Sequence, residues 1–297
     1  MTSLYKNFKQ KIFPFYSYII GILPIKIAIT IEHRRRIGHY PNLKNPVTFN
    51  EKIQWRKING DHHSYAKLSD KVLVKDHISK SLGKSWVIPS LWHGNDYPPL
   101  DHKKWPYPYI IKSNNGSGSV LIINNEAEEE EKKDMIQSLC HYGLKKLYAP
   151  FNNEKWYHLI NPQILIEPYL GFNLKDYKLY VFNGKVEFIH VDTDRFLNHQ
   201  RCFFDRNWNS LNIQHKFPME TREISPPASL NLMIKAAEKL GKHFDFVRVD
   251  LYDLNGSPRF GELTFAPESG GGAFMPSVWD HRFGRLWVNS KMEDPSQ

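Results

Sequence analysis

Cysteine is scarce in this 297-residue chain: only Cys140 and Cys202 occur. That leaves no disulfide framework and points to a reducing, cytoplasmic compartment. The fourteen His residues include no H-x-x-x-H pair and no Cys at ligand spacing, so the sequence offers no zinc site. A G-x-x-x-x-G-K-[ST] P-loop is absent, as is any convincing Ser-His-Asp or Cys-His arrangement. Acids are outnumbered, 31 to 40, and the resulting +9 favours an anionic partner. The basic residues are spread rather than blocked, which argues against nucleic acid.

A long unbroken apolar run is also lacking. Residues 12–31 are strongly apolar and lie between Lys6, Lys9 and Lys11 on one side and Arg34, Arg35 and Arg36 on the other. Pro14, Pro24 and Lys26 interrupt them, which speaks against a membrane span, and no small-x-small cleavage site follows. The expectation is two broken amphipathic helices, packed on the body or lying peripherally at the inner face of the plasma membrane. Hydrophobic content of 41% and charged content of 24% are ordinary, and the length allows a large core in two or three lobes.

Several elements declare themselves locally. Thr48 and Glu51 have capping-box spacing ahead of Ile53 and Trp55. A second helix is expected from Ser69-Asp70 to Gly83, and a short strand from Trp86 to Leu91. Strands are expected at Tyr109–Lys112 and Gln163–Glu167, with a hairpin over 176–191 turning at Asn183-Gly184. Residues 229–241 read as a helix with Gly241 as a C-cap candidate. Helices interspersed with antiparallel hairpins predict an α+β fold.

Two runs near the C-terminal end bring acids into a pattern. Phe246-Val-Arg-Val-Asp-Leu-Tyr252 and Arg259-Phe-Gly-Glu-Leu-Thr-Phe265 alternate with period two and read as strands, joined by turn residues 253–258. Arg248, Asp250 and Tyr252 share one face, and Glu262 and Thr264 share a face of the second strand. Two carboxylates about one strand spacing apart repel unless a cation lies between them. Mg²⁺ carrying nucleotide phosphates is the expected cation. Parity adds a condition: positions 250 and 262 face one another only across a loop with an odd number of residues. A tight Asn255-Gly256 turn needs a bulge to keep the pair together.

Upstream, Tyr109-Ile-Ile-Lys-Ser-Asn-Asn-Gly-Ser-Gly-Ser-Val-Leu-Ile-Ile123 is strand, glycine-bearing loop, strand. Lys112 ends the first strand, and Gly116 and Gly118 let backbone N–H groups turn toward anionic oxygens. Ile164-Leu-Ile-Glu-Pro-Tyr-Leu170 is an apolar strand leaving through Glu167 into a Pro-containing hinge, where freed backbone groups suit an adenine edge. Asp176, Lys178 and Tyr180 then alternate on one strand face.

Together these parts, in this order, resemble the ATP-grasp superfamily. The longer motifs resemble its TupA-like (teichuronopeptide-biosynthesis-like) branch: Asn45-Pro-Val-Thr-Phe-Asn-Glu-Lys-Ile-Gln-Trp55, Leu68-Ser-Asp-Lys71, Lys175-Asp-Tyr-Lys-Leu-Tyr-Val-Phe-Asn-Gly184, and the 246–252 and 260–265 runs. The resemblance spans about residues 38–288. It implies an α+β ATP-grasp fold in which a nucleotide is held between two lobes built on antiparallel sheets. The corresponding divisions are 1–40, an apolar and basic helical segment; 41–108, an N-terminal lobe; 109–170, the small lobe; and 171–297, the large lobe. By position, Lys71, Lys112, Ser113, Gly116, Ser117 and Gly118 look like ATP-phosphate contacts and Glu167, Pro168, Tyr169 and Leu170 like the adenine hinge, with Asp176 assigned to ribose. Asp250 and Glu262 look like Mg²⁺ ligands, and Thr264 stands where the superfamily often has Asn. Arg248 and Lys178 look placed to stabilise a transferred phosphoryl group.

The resemblance further implies a carboxylate–amine ligase of bacterial cell-surface polysaccharide assembly, using ATP and Mg²⁺ to join an amino acid or amine to a uronic-acid carboxylate. An anionic glycan is the expected acceptor, contacted by Arg195, Ser269, Gly270 and Gly271. The rival expectation is a glycosyltransferase of the same pathways, with Asp192-Thr-Asp194 as a metal-binding D-x-D.

Overall fold

A computed structural model describes residues 16–102, 105–116, 120–145, 152–171, 174–194 and 198–293. Lys6, Lys9, Lys11, Pro14, Ser117, Gly118 and Arg195, singled out above, lie outside the described residues. Helix α1 (Ile25–Ile37) follows Pro24 and stops at Gly38, whose φ of 103° suits a residue without a Cβ. Helix α2 (Phe49–Asn59) opens on the expected capping box, with the Thr48 side chain accepting from the Glu51 amide and the Glu51 carboxylate accepting from the Thr48 amide.

The helix expected from Ser69-Asp70 to Gly83 begins only at Val74, and a helix that the sequence did not announce precedes it. Helix α3 (His62–Ser69) ends at Asp70, whose carboxylate accepts from the Val72 and Leu73 amides at 2.8 and 3.2 Å and starts α4 (Val74–Leu82) after a turn. Lys71 thus sits on a turn rather than a helix. The strand expected over Trp86–Leu91 is likewise displaced, because Lys84–Trp86 closes a 3₁₀ turn. Ladder pairing begins only at β1 (Trp92–Gly94).

Strands β2 (Tyr109–Ser113) and β3 (Val120–Ile123) are followed by α5 (Glu126–Glu131), α6 (Lys133–Gly143) and β4 (Ile164–Pro168). The strands form a four-stranded antiparallel sheet in the order β1-β4-β2-β3. One face, with Tyr109, Ile111, Leu121 and Ile123, packs with Ile136 and Cys140 of α6. The alternation sends Ile110, Lys112 and Ile122 to the other face.

The larger sheet takes β5 (Asp176–Phe182), β6 (Lys185–Thr193), β7 (Gln200–Asp205), β8 (Ser210–Leu211), β10 (Phe246–Leu254) and β11 (Ser257–Thr264) in the order β11-β10-β5-β6-β7-β8. Strands β9 (Gln214–His215) and β12 (Phe274–Met275) pair separately. Helix α7 (Leu230–Gly241) covers one face through Ala236, Ala237 and Leu240. Gly241 is its last residue, not its cap. A Cβ there would meet Val181 Cγ1 at 2.5 Å, so the glycine permits close helix–sheet packing. On the opposite face, Phe49 of α2 packs on Phe182 and Phe246 with ring centroids 6.0 and 5.0 Å apart, sealed by α8 (Val278–Leu286) through Phe283. A last turn, α9 (Ser290–Glu293), follows.

The β10–β11 turn is the tight one: Leu254 pairs with Ser257 across Asn255-Gly256, at φ 53° and 85°. That register alone would set Asp250 opposite Gly261. A bulge corrects it, since Leu251 pairs with Phe260 and Asp250 with Glu262, leaving Gly261 as the extra residue. Phe260 therefore fills the core while Glu262, two positions later, faces Asp250. A Cβ on Gly261 would lie 3.0 Å from the Asp250 carbonyl oxygen and 3.1 Å from the Tyr252 ring. Gly261→Val should destabilise the chain by about 1–3 kcal/mol, read as a lower urea midpoint at unchanged slope. An unchanged midpoint would show that the bulge tolerates a side chain.

Candidate active site

A cleft of about 300 Å³ opens between the two sheets. The small sheet contributes Ile110, Lys112, Ser113, Val120, Ile122 and Glu167; the large one contributes Asp176, Lys178, Asp250, Tyr252, Gly261 and Glu262. Lys71, Gly116, Pro168, Tyr169 and Leu170 complete the set of expected nucleotide residues that line it. Ile88 and Leu174 add apolar wall that the sequence reading did not name. The alternation of Ile110 and Ile122, cross-strand partners, was the available signal.

Glu167 is buried at the hinge end, with Lys75 Nζ and Lys112 Nζ each 2.5 Å from one of its oxygens. Burial pushes this carboxyl up, but Lys112 and Lys75 outweigh burial and hold it below the ordinary range. Lys75 was missed, although it stands one helical spacing after Lys71. The Lys71 ammonium contacts the Gly116 carbonyl and lies 3.9 Å from Glu262 Oε2. Burial lowers the Lys71 pKa. A lysine in this setting gains from an anion placed beside it.

The acid pair is linked by protein cations. Asp250 is 2% exposed, and its oxygens accept from Arg248 Nε and Nη2 and from Lys178 Nζ, each at 2.7 Å. Lys178 also pairs with Asp176. Arg248 Nη2 reaches on to Glu262 Oε1 at 3.3 Å and Thr264 Oγ1 at 3.0 Å. The Arg248 guanidinium thus bridges the two carboxylates. Burial raises the Asp250 pKa, but Arg248 and Lys178 overcome it and the carboxyl stays low. Glu262, with a side chain 33% exposed, is the carboxylate that faces the cleft with room for a ligand. No group of three His, Cys, Asp or Glu side chains able to hold a metal occurs among the described residues.

Ser269, Gly270 and Gly271 do not line the cleft. They follow β11 in a loop where Glu268, Ser269 and Gly270 take φ values of 49°, 56° and 62°. Lys57 Nζ donates to the Ser269 carbonyl at 2.6 Å, Gln54 Nε2 to the Gly270 carbonyl at 2.7 Å and Arg36 Nη2 to the Glu268 carbonyl at 3.1 Å. The D-x-D acids are already committed to cations. Asp192 accepts from Arg201 Nε and His190 Nε2, both at 2.8 Å, while Asp194 accepts from Arg222 Nη2 at 2.6 Å. Burial opposes ionisation of Asp192, but His190, His199 and Arg201 drive its pKa well below the carboxylate range.

Two antiparallel sheets closing on a cleft, with Lys112 from the small sheet, Lys71 from the turn before α4 and Asp176, Asp250 and Glu262 from the large sheet, define an ATP-grasp architecture. The family model for TupA-like ATPgrasp proteins matches residues 51–288, and the chain belongs to that family. Among solved structures it is similar to the D-alanine–D-alanine ligase of Bacillus anthracis, at 18% identity over 68% of this chain and 58% of that one, with a TM-score of 0.43. It is also similar to the L-amino acid ligase of Bacillus licheniformis, at 12% identity over 70% and 43% of the two chains and a TM-score of 0.41. The VanG D-Ala:D-Ser ligase of Enterococcus faecalis gives 12% identity over 68% and 54%, with a TM-score of 0.39. The chain thus spans less than two thirds of the length of each of these ligases. Comparison with curated proteins returns no match.

Glu268 supplies a pH test of the loop. Burial raises its pKa, but Lys216, 2.6 Å away, and Arg201 pull it down to about 2 from an ordinary 4.5. A depressed folded pKa stabilises above the unfolded value and is lost as pH falls through the folded one. The stability gap between the parent and Glu268→Gln should be full above about pH 5 and close toward pH 2. A gap independent of pH in urea titrations would remove Glu268 from this role.

Proposed function

We propose that this protein is an ATP- and Mg²⁺-dependent carboxylate–amine ligase acting in cell-surface polysaccharide assembly. The observation that carries the reading is the cleft itself, apolar at Ile88, Ile110, Ile122 and Leu174, and cationic at Lys71 and Lys112 beside Glu262. An adenine ring suits the apolar walls, and the Pro168–Leu170 segment leaves β4 with backbone groups available to its edge. Phosphates suit the two lysines. Glu262 fits a Mg²⁺ ion, which takes one or two carboxylates and fills its shell with phosphate oxygens and water. Asp250 fits as a second ligand only through an oxygen shared with Arg248 or Lys178.

Bound ATP would phosphorylate a carboxylate, releasing ADP, and an amine would then displace phosphate to leave an amide and a proton. For this the chain needs no side-chain nucleophile. Lys178 and Arg248 hold fixed positive charge beside Asp250, which suits the charge that builds during phosphoryl transfer. The net charge of +9 suits an anionic acceptor such as a uronic acid. The polysaccharide setting rests on the family. The D-x-D rival loses support because the Asp192 and Asp194 carboxylates are paired with His190, Arg201 and Arg222.

The test is ADP and phosphate release against a panel of uronic acids and amines. Glu262→Gln should keep the parent urea midpoint and lower ADP release by about 10²-fold or more, as loss of a charge partner in the transition state does. Asp250→Asn should lower activity and stability together, since it strips Arg248 and Lys178 of their shared anion. Parent-like turnover in Glu262→Gln, or nucleotide-sugar turnover without ATP, would overturn the reading.

A further inference from the structure

Residues 1–31 contain Lys6, Lys9, Lys11 and Lys26 and not one Asp or Glu. The first acid, Glu32, is 7% exposed and accepts from Arg35 Nε at 3.0 Å. Within the described part of this stretch, five large apolar side chains stand in solvent: Tyr18, Ile19, Ile22, Ile27 and Ile31. On α1 the inward side is Ala28, Ile29, Glu32 and His33. Ile27 and Ile31, one turn apart, project from the other side, and exposed Arg34 continues their line. The preceding helical residues 16–22 repeat the arrangement, with Ile20 inside and Tyr18, Ile19 and Ile22 outside. An apolar face within a lysine-bearing, acid-free segment matches an anionic amphipathic surface. A second copy of the chain fits it poorly, because pairing this face with itself would bring together Lys26 and Arg34 of both copies with no exposed acid of the face to answer them. None of the described helices is long and apolar enough to cross a membrane.

We propose that this N-terminal face seats the protein on an anionic lipid bilayer, its five apolar side chains entering the headgroup–acyl boundary and the exposed Lys26 and Arg34 supplying electrostatic attraction. The seat is tied to the loop that follows β11: Arg36, in the last turn of α1, donates to the Glu268 carbonyl at 3.1 Å. The proposal stands on the N-terminal residues alone and survives a different reaction at the cleft.

Co-sedimentation of the full chain with vesicles tests it. The parent should bind equimolar phosphatidylglycerol–phosphatidylcholine vesicles, bind pure phosphatidylcholine far less, and be weakened by salt near 1 M, where the Debye length is about 3 Å. Ile27→Glu with Ile31→Glu should lower partitioning by about a hundredfold, at unchanged circular dichroism and ADP release. Tyr18→Ser with Ile22→Ser, on the preceding helical residues, should act in the same direction and serves if the first pair disturbs α1. Three outcomes would overturn the proposal. They are no parent binding to anionic vesicles, equal binding by parent and both variants, and a parent dimer in sedimentation equilibrium that the variants dissociate.

Discussion

Asp250 is a carboxylate buried in the middle of a six-stranded sheet, and the architecture of the cleft follows from what it takes to keep it charged there. An unpaired ion in such a place costs several kcal/mol even after relaxation, about the whole stability of a small domain. The sheet answers with cations placed by pairing alone. Lys178 is the β5 residue opposite Asp250, and Arg248 lies two positions back on the same face of β10. Because the cations arrive by register, β10 cannot slip against β5 without leaving three charges unmatched. The same face changes character along its length. Near Phe246 and Phe182 it is apolar and packs on Phe49 of α2; near Asp250 it is ionic and borders the cleft.

The bulge at Gly261 reconciles two requirements that a regular hairpin cannot meet together. The tight Asn255-Gly256 turn fixes an odd sum for paired positions, and Phe260 must then face inward opposite Leu251. Glu262 must face Asp250, which needs an even sum. One extra residue without a Cβ, set against the Asp250 carbonyl, changes the parity at the point of conflict. The sequence holds a trace of this. Apolar positions fall at 258 and 260 before Gly261 and at 263 and 265 after it, a shift from even to odd that alternation alone does not produce.

Local signals carried most of the element reading. Thr48 and Glu51 mark the start of α2, Asn183-Gly184 turns β5 into β6, and the residues of the cleft appear in the expected order along the chain. What failed were places where one side chain overrides periodicity. Asp70 accepts from amides two and three residues ahead and holds back the start of the expected helix to Val74. Gly241 looks like a terminator in sequence but serves close packing on Val181. The partners of Asp250 stand in the sequence as residue types, but their bonding to it does not follow from alternation. Only the three-dimensional register shows Arg248 bonded to both Asp250 and Glu262.

That arrangement makes the two acids unequal, which bears on how the cleft is used. Asp250 has both oxygens engaged by protein cations, whereas Glu262 shares one weak contact with Arg248 and lies 3.9 Å from Lys71. An incoming cation competes with Arg248 and Lys178 at Asp250 but meets little opposition at Glu262. Charge balance then sets the order of events. A polyanion drawn to Lys71 and Lys112 brings negative charge beside Glu262, and that charge can be accommodated only with its own counter-ion. Under the proposed function, metal and nucleotide would be coupled ligands of one site, each relieving the repulsion the other would create. The buried ion row behind them stays fixed, and fixed charge of this kind stabilises a developing phosphoryl transition state without reorganisation.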